Sequence, residues 1–370
     1  MGHVDPWRGH RCVGDLAPPL QHRSPARRHG VKAVVKSPRV SILGAGSWGT
    51  ALAATLAAAG STVMLWSRRE EQVVQLRKGR NPEYLGDNLL PATLGATADF
   101  DEALDADILV VATPAASTRE ICQAIARSGA GDKPVVLLAK GLERERGRRL
   151  SEVASEALGK ESEVMVLLGP SHAEEVVRGQ PTAIVLAGGS AGTRERVQEE
   201  FSHANLRVYT NDDLAGVELA GALKNVLAIA AGLCDGLGLG DNAKGALLAR
   251  GVAEIARIGV RLGGRQETFF GLSGVGDVIT TCLSQHSRNR ALGERVGRGE
   301  ALDAALEGIG QVVEGVDTTR TVVAIAHRLD EAVPIAEQVA AVLFEGKAPA
   351  DAMNDLMLRS LKAEWGSSGN

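Results

Sequence analysis

Gly44-Ala45-Gly46-Ser47-Trp48-Gly49 follows the apolar run Val40-Ser41-Ile42-Leu43 and leads into the alanine-rich stretch from Thr50 to Ala59. Three glycines thus stand between an expected strand and an expected helix. In that setting Gly44 permits a tight turn, Gly46 lets backbone approach a phosphate, and Gly49 allows the helix to lie close on a sheet. The amino terminus of the helix supplies N–H donors and partial positive charge, so the segment reads as a cradle for a dinucleotide pyrophosphate.

Outward from this turn, strands are expected near 39–43 and 62–66 and helices near 48–59 and 69–78, a βαβ series. Further apolar runs at 108–112, 135–138, 164–168 and 183–186 predict buried strands of a largely parallel, doubly wound sheet. After Tyr209 strand-like runs almost vanish. Stretches of Ala, Leu and Gly at helical spacing predict helices over 213–234, 241–262, 288–297 and 317–328. The fold class is therefore α/β: a Rossmann-like doubly wound sheet domain over 38–210, followed by an all-α substrate domain over 211–360. Residues 1–37, with four of the eight histidines and four of the thirteen prolines, read as a disordered extension, and 361–370 as a tail.

The composition narrows the function classes. Hydrophobic and charged contents of 44% and 23% are ordinary for a globular chain, and a net charge of −4 gives no electrostatic reason to expect nucleic acid. Cys12, Cys122, Cys234 and Cys282 stand far apart without CxxC or histidine at ligand spacing, so neither a disulfide framework nor a metal site is expected. No apolar run approaches the roughly 18 residues of a bilayer span, and membrane insertion is not expected. A reducing cytoplasm fits these features best.

About twenty residues beyond Gly44, where an acidic residue would bind the ribose of NAD, the chain reads Ser67-Arg68-Arg69. Two guanidinium groups and a hydroxyl suit a 2'-phosphate, so NADPH is expected to be preferred, without excluding NADH. The alternative is that both arginines are simply solvated.

The chemistry points to the second half. Val217, Gly221, Lys224 and Ala228 share one helical face, so a lysine interrupts an apolar stripe. Desolvation would lower its pKa toward the range useful for acid–base work. The competing readings are a snorkelling lysine or a structural ion pair with Glu218. Asp277 closes the glycine-dense segment Gly271-Leu272-Ser273-Gly274-Val275-Gly276 and could orient Lys224. Ser287-Arg288-Asn289-Arg290 opens a helix where a phosphate monoester could be held, or is an ordinary capped helix with surface arginines. Lys140-Gly141 and Gly169-Pro170-Ser171-His172-Ala173 lie at carboxyl ends of expected strands, where such sheets bind ligands. His172 is a candidate general acid, or a packing or capping residue.

These blocks, together with Ala139 to Glu143, Gly169 to Glu175, Glu218 to Asn225 and Val313-Glu314-Gly315, resemble the bacterial-type NAD(P)-dependent glycerol-3-phosphate dehydrogenase family. The likeness runs from about 39 to 360. It implies reversible reduction of dihydroxyacetone phosphate to sn-glycerol 3-phosphate, the precursor for glycerophospholipid synthesis, without a metal. It further implies that Ser47, Trp48, Arg68, Lys140, Ala173, Arg288, Val312 and Glu314 contact the nucleotide, in addition to Gly44, Gly46, Gly49 and Arg69, which the turn and the strand end themselves suggest. Lys140, Gly169, Ser171, Lys224, Asp277, Ser287, Arg288 and Asn289 would line the substrate site, with Lys224 as catalytic acid/base, in a homodimer. Two features depart from the family pattern: the amino-terminal extension and the Arg68-Arg69 doublet. Rival readings are a hydroxyacid dehydrogenase on the same plan and a non-catalytic nucleotide sensor.

Overall fold

A computed structural model describes residues 38–144, 146–159, 162–360 and 364. The expected disordered extension 1–37 and, apart from residue 364, most of the expected tail lie outside the described residues. Eight strands form one sheet: β1 Arg39–Leu43, β2 Thr62–Trp66, β3 Gly95–Thr97, β4 Ile108–Val111, β5 Val135–Leu137, β6 Val164–Leu168, β7 Thr182–Gly188 and β8 Leu206–Asn211. Their order is β3-β2-β1-β4-β5-β6-β7-β8, and every neighbouring pair is parallel except β6 with β7.

Strand alternation explains the two layers of helix that sandwich this sheet. Val40, Ile42, Ile108 and Val110 join the apolar cluster containing Leu52 and Leu56 of the helix Ser47–Ala58. Leu43, Leu109 and Val111 turn to the other face, against Ile125 of Thr118–Arg127 and Leu150 of Leu150–Leu158. All four β4 residues are buried, as expected of a strand covered on both faces. The edge strand β8 alternates instead, with Leu206 and Val208 inward and Arg207 and Tyr209 outward. β3 and β8 were not anticipated: β3 is three residues without an apolar run, and the polar half of β8 conceals its pattern.

Beyond β8 the described residues are helical, consistent with the expected fold class. Every residue from Gly216 to Cys234 of the helix Leu214–Gly236 is buried, surrounded by Asp241–Arg261, Arg288–Gly297, Glu314–Leu329 and others. Its most apolar window has mean hydropathy 1.5, long and apolar enough to cross a bilayer, contrary to the expectation that no segment approaches that length. That window is wholly buried within the protein. A central helix clothed by other helices needs apolar residues all round, which is the composition a membrane also selects.

The first turn of the nucleotide cradle is sterically fixed. Gly44 has φ +126, and a Cβ there would lie 2.9 Å from the backbone of Ala112. A Cβ on Gly49 would stand 2.2 Å from the Gly44 oxygen, whereas one on Gly46 would meet no atom within 4 Å. Gly49→Ala should therefore lower stability by about 1–3 kcal/mol, whereas Gly46→Ala should leave the melting temperature within a degree or two of wild type. Thermal unfolding of both variants checks this; equal loss at the two positions would contradict the assigned packing.

Candidate active site

Lys224 projects from the central helix one turn after Gly221, whose Cα packs on Leu168 at the end of β6. It is only 4% exposed. Its Nζ donates to Asp277 Oδ1 at 2.7 Å and to the hydroxyl of Thr281, which itself donates to the same carboxylate oxygen at 3.1 Å. The alternative partner, Glu218, is occupied elsewhere: it accepts from the backbone N–H and hydroxyl of Ser151 at 2.8 and 2.6 Å. Snorkelling is likewise inconsistent with so buried a side chain.

Asp277, 1% exposed, opens the helix Asp277–Leu283. Its second oxygen accepts from Lys140 Nζ at 2.7 Å, and the same ammonium donates to the Gly169 carbonyl at 2.9 Å. Ser171 donates to that carbonyl at 3.1 Å. Lys140, Gly169, Ser171, Lys224 and Asp277, drawn from four separate stretches of chain, thus form one continuous network at the carboxyl ends of β5 and β6. Burial would push the Asp277 carboxyl up, but Lys140 and Lys224 outweigh it and hold the group below its usual range. Burial also lowers the Lys224 ammonium to about 8, with Asp277 opposing the shift and Lys140 adding to it. Thr281 was missed by sequence reading. Its signal was its place one helical turn after Asp277, legible only once the helix start is known.

The segment Ser287-Arg288-Asn289 reaches this network through helix crossing. The helices Leu214–Gly236 and Arg288–Gly297 approach so closely that a Cβ on Gly232 would lie 2.0 Å from the Arg290 carbonyl, and one on Gly293 would lie 2.0 Å from that of Ile229. Asn289 therefore donates to Asn225 Oδ1 at 3.0 Å, Asn225 donates to the Lys140 carbonyl at 3.4 Å, and Asn289 accepts from the Gly315 N–H at 2.9 Å. Asn225, next to Lys224, was not singled out as a site residue; it links the two groups. Ser287 caps its helix by accepting from the Arg290 N–H, which leaves its hydroxyl hydrogen free to donate. Arg288 donates to the Val312 carbonyl at 2.9 Å, and Glu314 accepts from the Ala115 N–H at 3.0 Å.

The nucleotide side is built at the junction of β1 and β4, where the sheet order turns. The residues fit a dinucleotide: Gly46 has open space at its Cα, and the first turn of Ser47–Ala58 has no side-chain cap on its N–H groups. Ser47 donates to the Tyr84 carbonyl, Trp48 packs against the sheet cluster, and Ala173 is buried at the start of Ala173–Val176. At the end of β2 the structure revises the expected trio. Ser67 donates to Gln72 at 2.7 Å, and Arg69 is held by Glu83 at 2.7 Å. Arg68 is exposed and, among the described residues, has no hydrogen-bond or ion-pair partner. His172 also departs from a general acid: its Nε2 lies 3.3 Å from the Thr280 carbonyl, and burial lowers its pKa. Among the described residues no group of three or more His, Cys, Asp or Glu could hold a metal.

Comparison with known proteins bears on this arrangement. Models of the NAD-dependent glycerol-3-phosphate dehydrogenase N-terminus and C-terminus match residues 39–193 and 213–354. A glycerol-3-phosphate dehydrogenase [NAD(P)+] 2 of Salinibacter ruber is 47% identical over 332 residues, 89% of this chain and 96% of its own. One from Prosthecochloris aestuarii is 47% identical, covering 88% and 99% of the two chains. The crystal structure of glycerol-3-phosphate dehydrogenase from Coxiella burnetii superposes with a TM-score of 0.83 at 38% identity, over 87% of this chain and 99% of that one. Two family models in sequence, and relatives matched almost end to end, place the sheet and the helices in one known architecture. The chain belongs to the NAD-dependent glycerol-3-phosphate dehydrogenase family.

Proposed function

We propose that this protein catalyses the reversible NAD(P)H-dependent reduction of dihydroxyacetone phosphate to sn-glycerol 3-phosphate. The observation that carries the reading is the cluster of buried Asp277 and Lys224 with half-buried Lys140, beside the Ser287-Arg288-Asn289 helix start. Family membership and the names of the relatives support it. Residues 38–210 are taken as the nucleotide-binding half and 211–360 as the substrate half. The enzyme works as a cytoplasmic homodimer and supplies the backbone of glycerophospholipids.

A nicotinamide cofactor held at the Gly44 to Gly49 turn would supply the hydride for C2 of the ketone. Lys224 donates a proton or hydrogen bond to the oxygen that becomes alkoxide, and takes it back in the reverse direction. Asp277 fixes the Lys224 ammonium, with Thr281 as its second acceptor, so the donor does not reorganise as charge develops. Lys140 contributes a second positive charge from the β5 end. Ser287, Arg288 and Asn289 hold the phosphate, converting remote binding energy into orientation of the ketone. Gly44, Gly46, Ser47, Trp48 and Gly49 cradle the pyrophosphate. Ala173, Val312 and Glu314 line the rest of the nucleotide path.

Lys224→Ala should lower kcat for ketone reduction at least about a hundredfold while the dissociation constant for NADPH, measured by nucleotide fluorescence, stays within a factor of about two. Near-normal turnover would remove Lys224 from the mechanism. The acid form of Lys224 is the one that serves reduction, and burial sets its pKa at about 8. Hence kcat/KM for reduction should fall as pH rises through about 8, while that for alcohol oxidation rises through the same range. Asp277 holds this pKa up, so Asp277→Asn should move both limbs to lower pH; an upward shift would reverse the assigned electrostatics.

Cofactor choice gives a separate test. We propose that NADPH is preferred and that Arg68, uncommitted among the described residues, reads the 2'-phosphate. Arg68→Gln should weaken NADPH about 10- to 100-fold with little change for NADH, the worth of one charge-assisted hydrogen bond. Arg69→Gln should do less, because Glu83 already holds that guanidinium. Titration of both variants with both nucleotides decides; a larger effect at Arg69 would overturn the division.

A further inference from the structure

A cleft of about 200 Å³ lies apart from the reaction centre, between the β7–β8 region and the π-helical turn Leu272–Gly276. Val185, Asn211, Asp212, Arg265, Glu267 and Ser273 are among its walls, and none of the residues of the Lys224 network is. Ser273 is only 1% exposed, faces this cleft, and among the described residues its hydroxyl has no hydrogen-bond partner. A ligand group seated in the cleft would supply that partner. Asn211 offers a second donor: its Oδ1 accepts from the Asp213 N–H at 2.8 Å, and among the described residues its NH₂ has no partner. Thr268, by contrast, is already committed to Asp213.

The lining selects the chemistry of an occupant. Arg265 and Asp212 neutralise one another across 2.9 Å at the rim, and Glu267 adds a carboxylate that has no ion-pair partner among the described residues. An anion would meet net negative charge, and a cation would meet the guanidinium. An uncharged molecule whose hydroxyls both donate to the carboxylates and accept from the amide and the serine satisfies all of them. The cleft has room for several waters, which suits a small polyol.

We infer that this cleft is a second ligand site, for a small uncharged polyol, that bears on Asp277 through Ser273. Ser273 lies four residues before Asp277 on the same continuous turn. The turn is closed by the bond from the Gly276 N–H to the Gly271 carbonyl at 3.1 Å, a π-type ring. It is also pressed onto the buried Phe269, since a Cβ on Gly274 would lie 2.0 Å from the Phe269 oxygen. A displacement at Ser273 is therefore passed along the turn to the carboxylate that holds Lys140 and Lys224.

Hydrogen exchange by mass spectrometry of the full chain, with erythritol as the probe, tests this. At twice its dissociation constant, erythritol should slow local opening of peptides covering 265–277 about threefold, saturably, in wild type and not in Ser273→Ala. Arg265→Gln, at a side chain that pairs with Asp212 at the exposed rim, should weaken the effect while keeping the fold. Inorganic phosphate and ethanolamine should give no such protection. Non-saturable slowing spread over all peptides, equal protection in Ser273→Ala, or protection by phosphate would overturn the polyol site. A change in kcat/KM for the dehydrogenase reaction should share the same midpoint; saturable protection with unchanged kcat/KM would overturn the link to Asp277.

Discussion

One carboxylate held between two ammonium groups is the constraint around which the rest of this structure is arranged. Asp277 is buried and pairs with both Lys224 and Lys140 at 2.7 Å. Such a cluster is a poor device for stability, since desolvation of the charges costs about as much as their attraction returns, and an apolar replacement of similar shape would serve as well. Its value is electrostatic: two positive charges share one negative charge, so the centre carries one positive charge in excess. On the proposed reading an alkoxide developing on a bound ketone would supply the missing negative charge, beside side chains that are themselves buried. The same burial that makes the cluster costly brings the Lys224 pKa down to about 8, where proton transfer is feasible in both directions near neutrality.

Everything around the cluster can be read as what it takes to bring four stretches of chain to one point. The sheet delivers Lys140 and Gly169 from adjacent parallel strands, β5 and β6. The central helix delivers Lys224 and can lie on the sheet because Gly221 has no side chain to hold it off Leu168. A π-helical turn, one residue wider than an α-helical one, sets the start of the helix that carries Asp277 and Thr281. Glycines at the crossing of the central helix with Arg288–Gly297 then draw Asn289 onto Asn225, and through it onto the Lys140 carbonyl. Gly221, Gly232, Gly293 and Asn225 would act on the proposed chemistry through position rather than through direct participation.

Much of this was legible because the signals were local. The Gly44 to Gly49 turn, the alternating strands and the lysine in an apolar stripe are each contained in a short window. What was not legible depended on partners far along the chain. Glu218 is six residues from Lys224 and was a reasonable partner for it, yet it faces Ser151, brought in by the helix Leu150–Leu158. Arg69 looked as free as Arg68 until Glu83, on the short helix Pro82–Leu85, came within reach. Thr281 carries no signal as a residue type; it matters only because the helix begins at Asp277 and returns to the same face one turn later. The central helix misled in the opposite way, since being enclosed by protein and being enclosed by lipid demand the same composition.

The measurement that bears most directly on the account is NADPH oxidation by the purified protein, comparing dihydroxyacetone phosphate with unphosphorylated dihydroxyacetone. The account predicts rapid turnover of the phosphate ester and little or none of the free ketone, because the phosphate held at Ser287, Arg288 and Asn289 is what places the carbonyl against Lys224. Equal turnover of the two, or tight NADPH binding with turnover of neither, would contradict it.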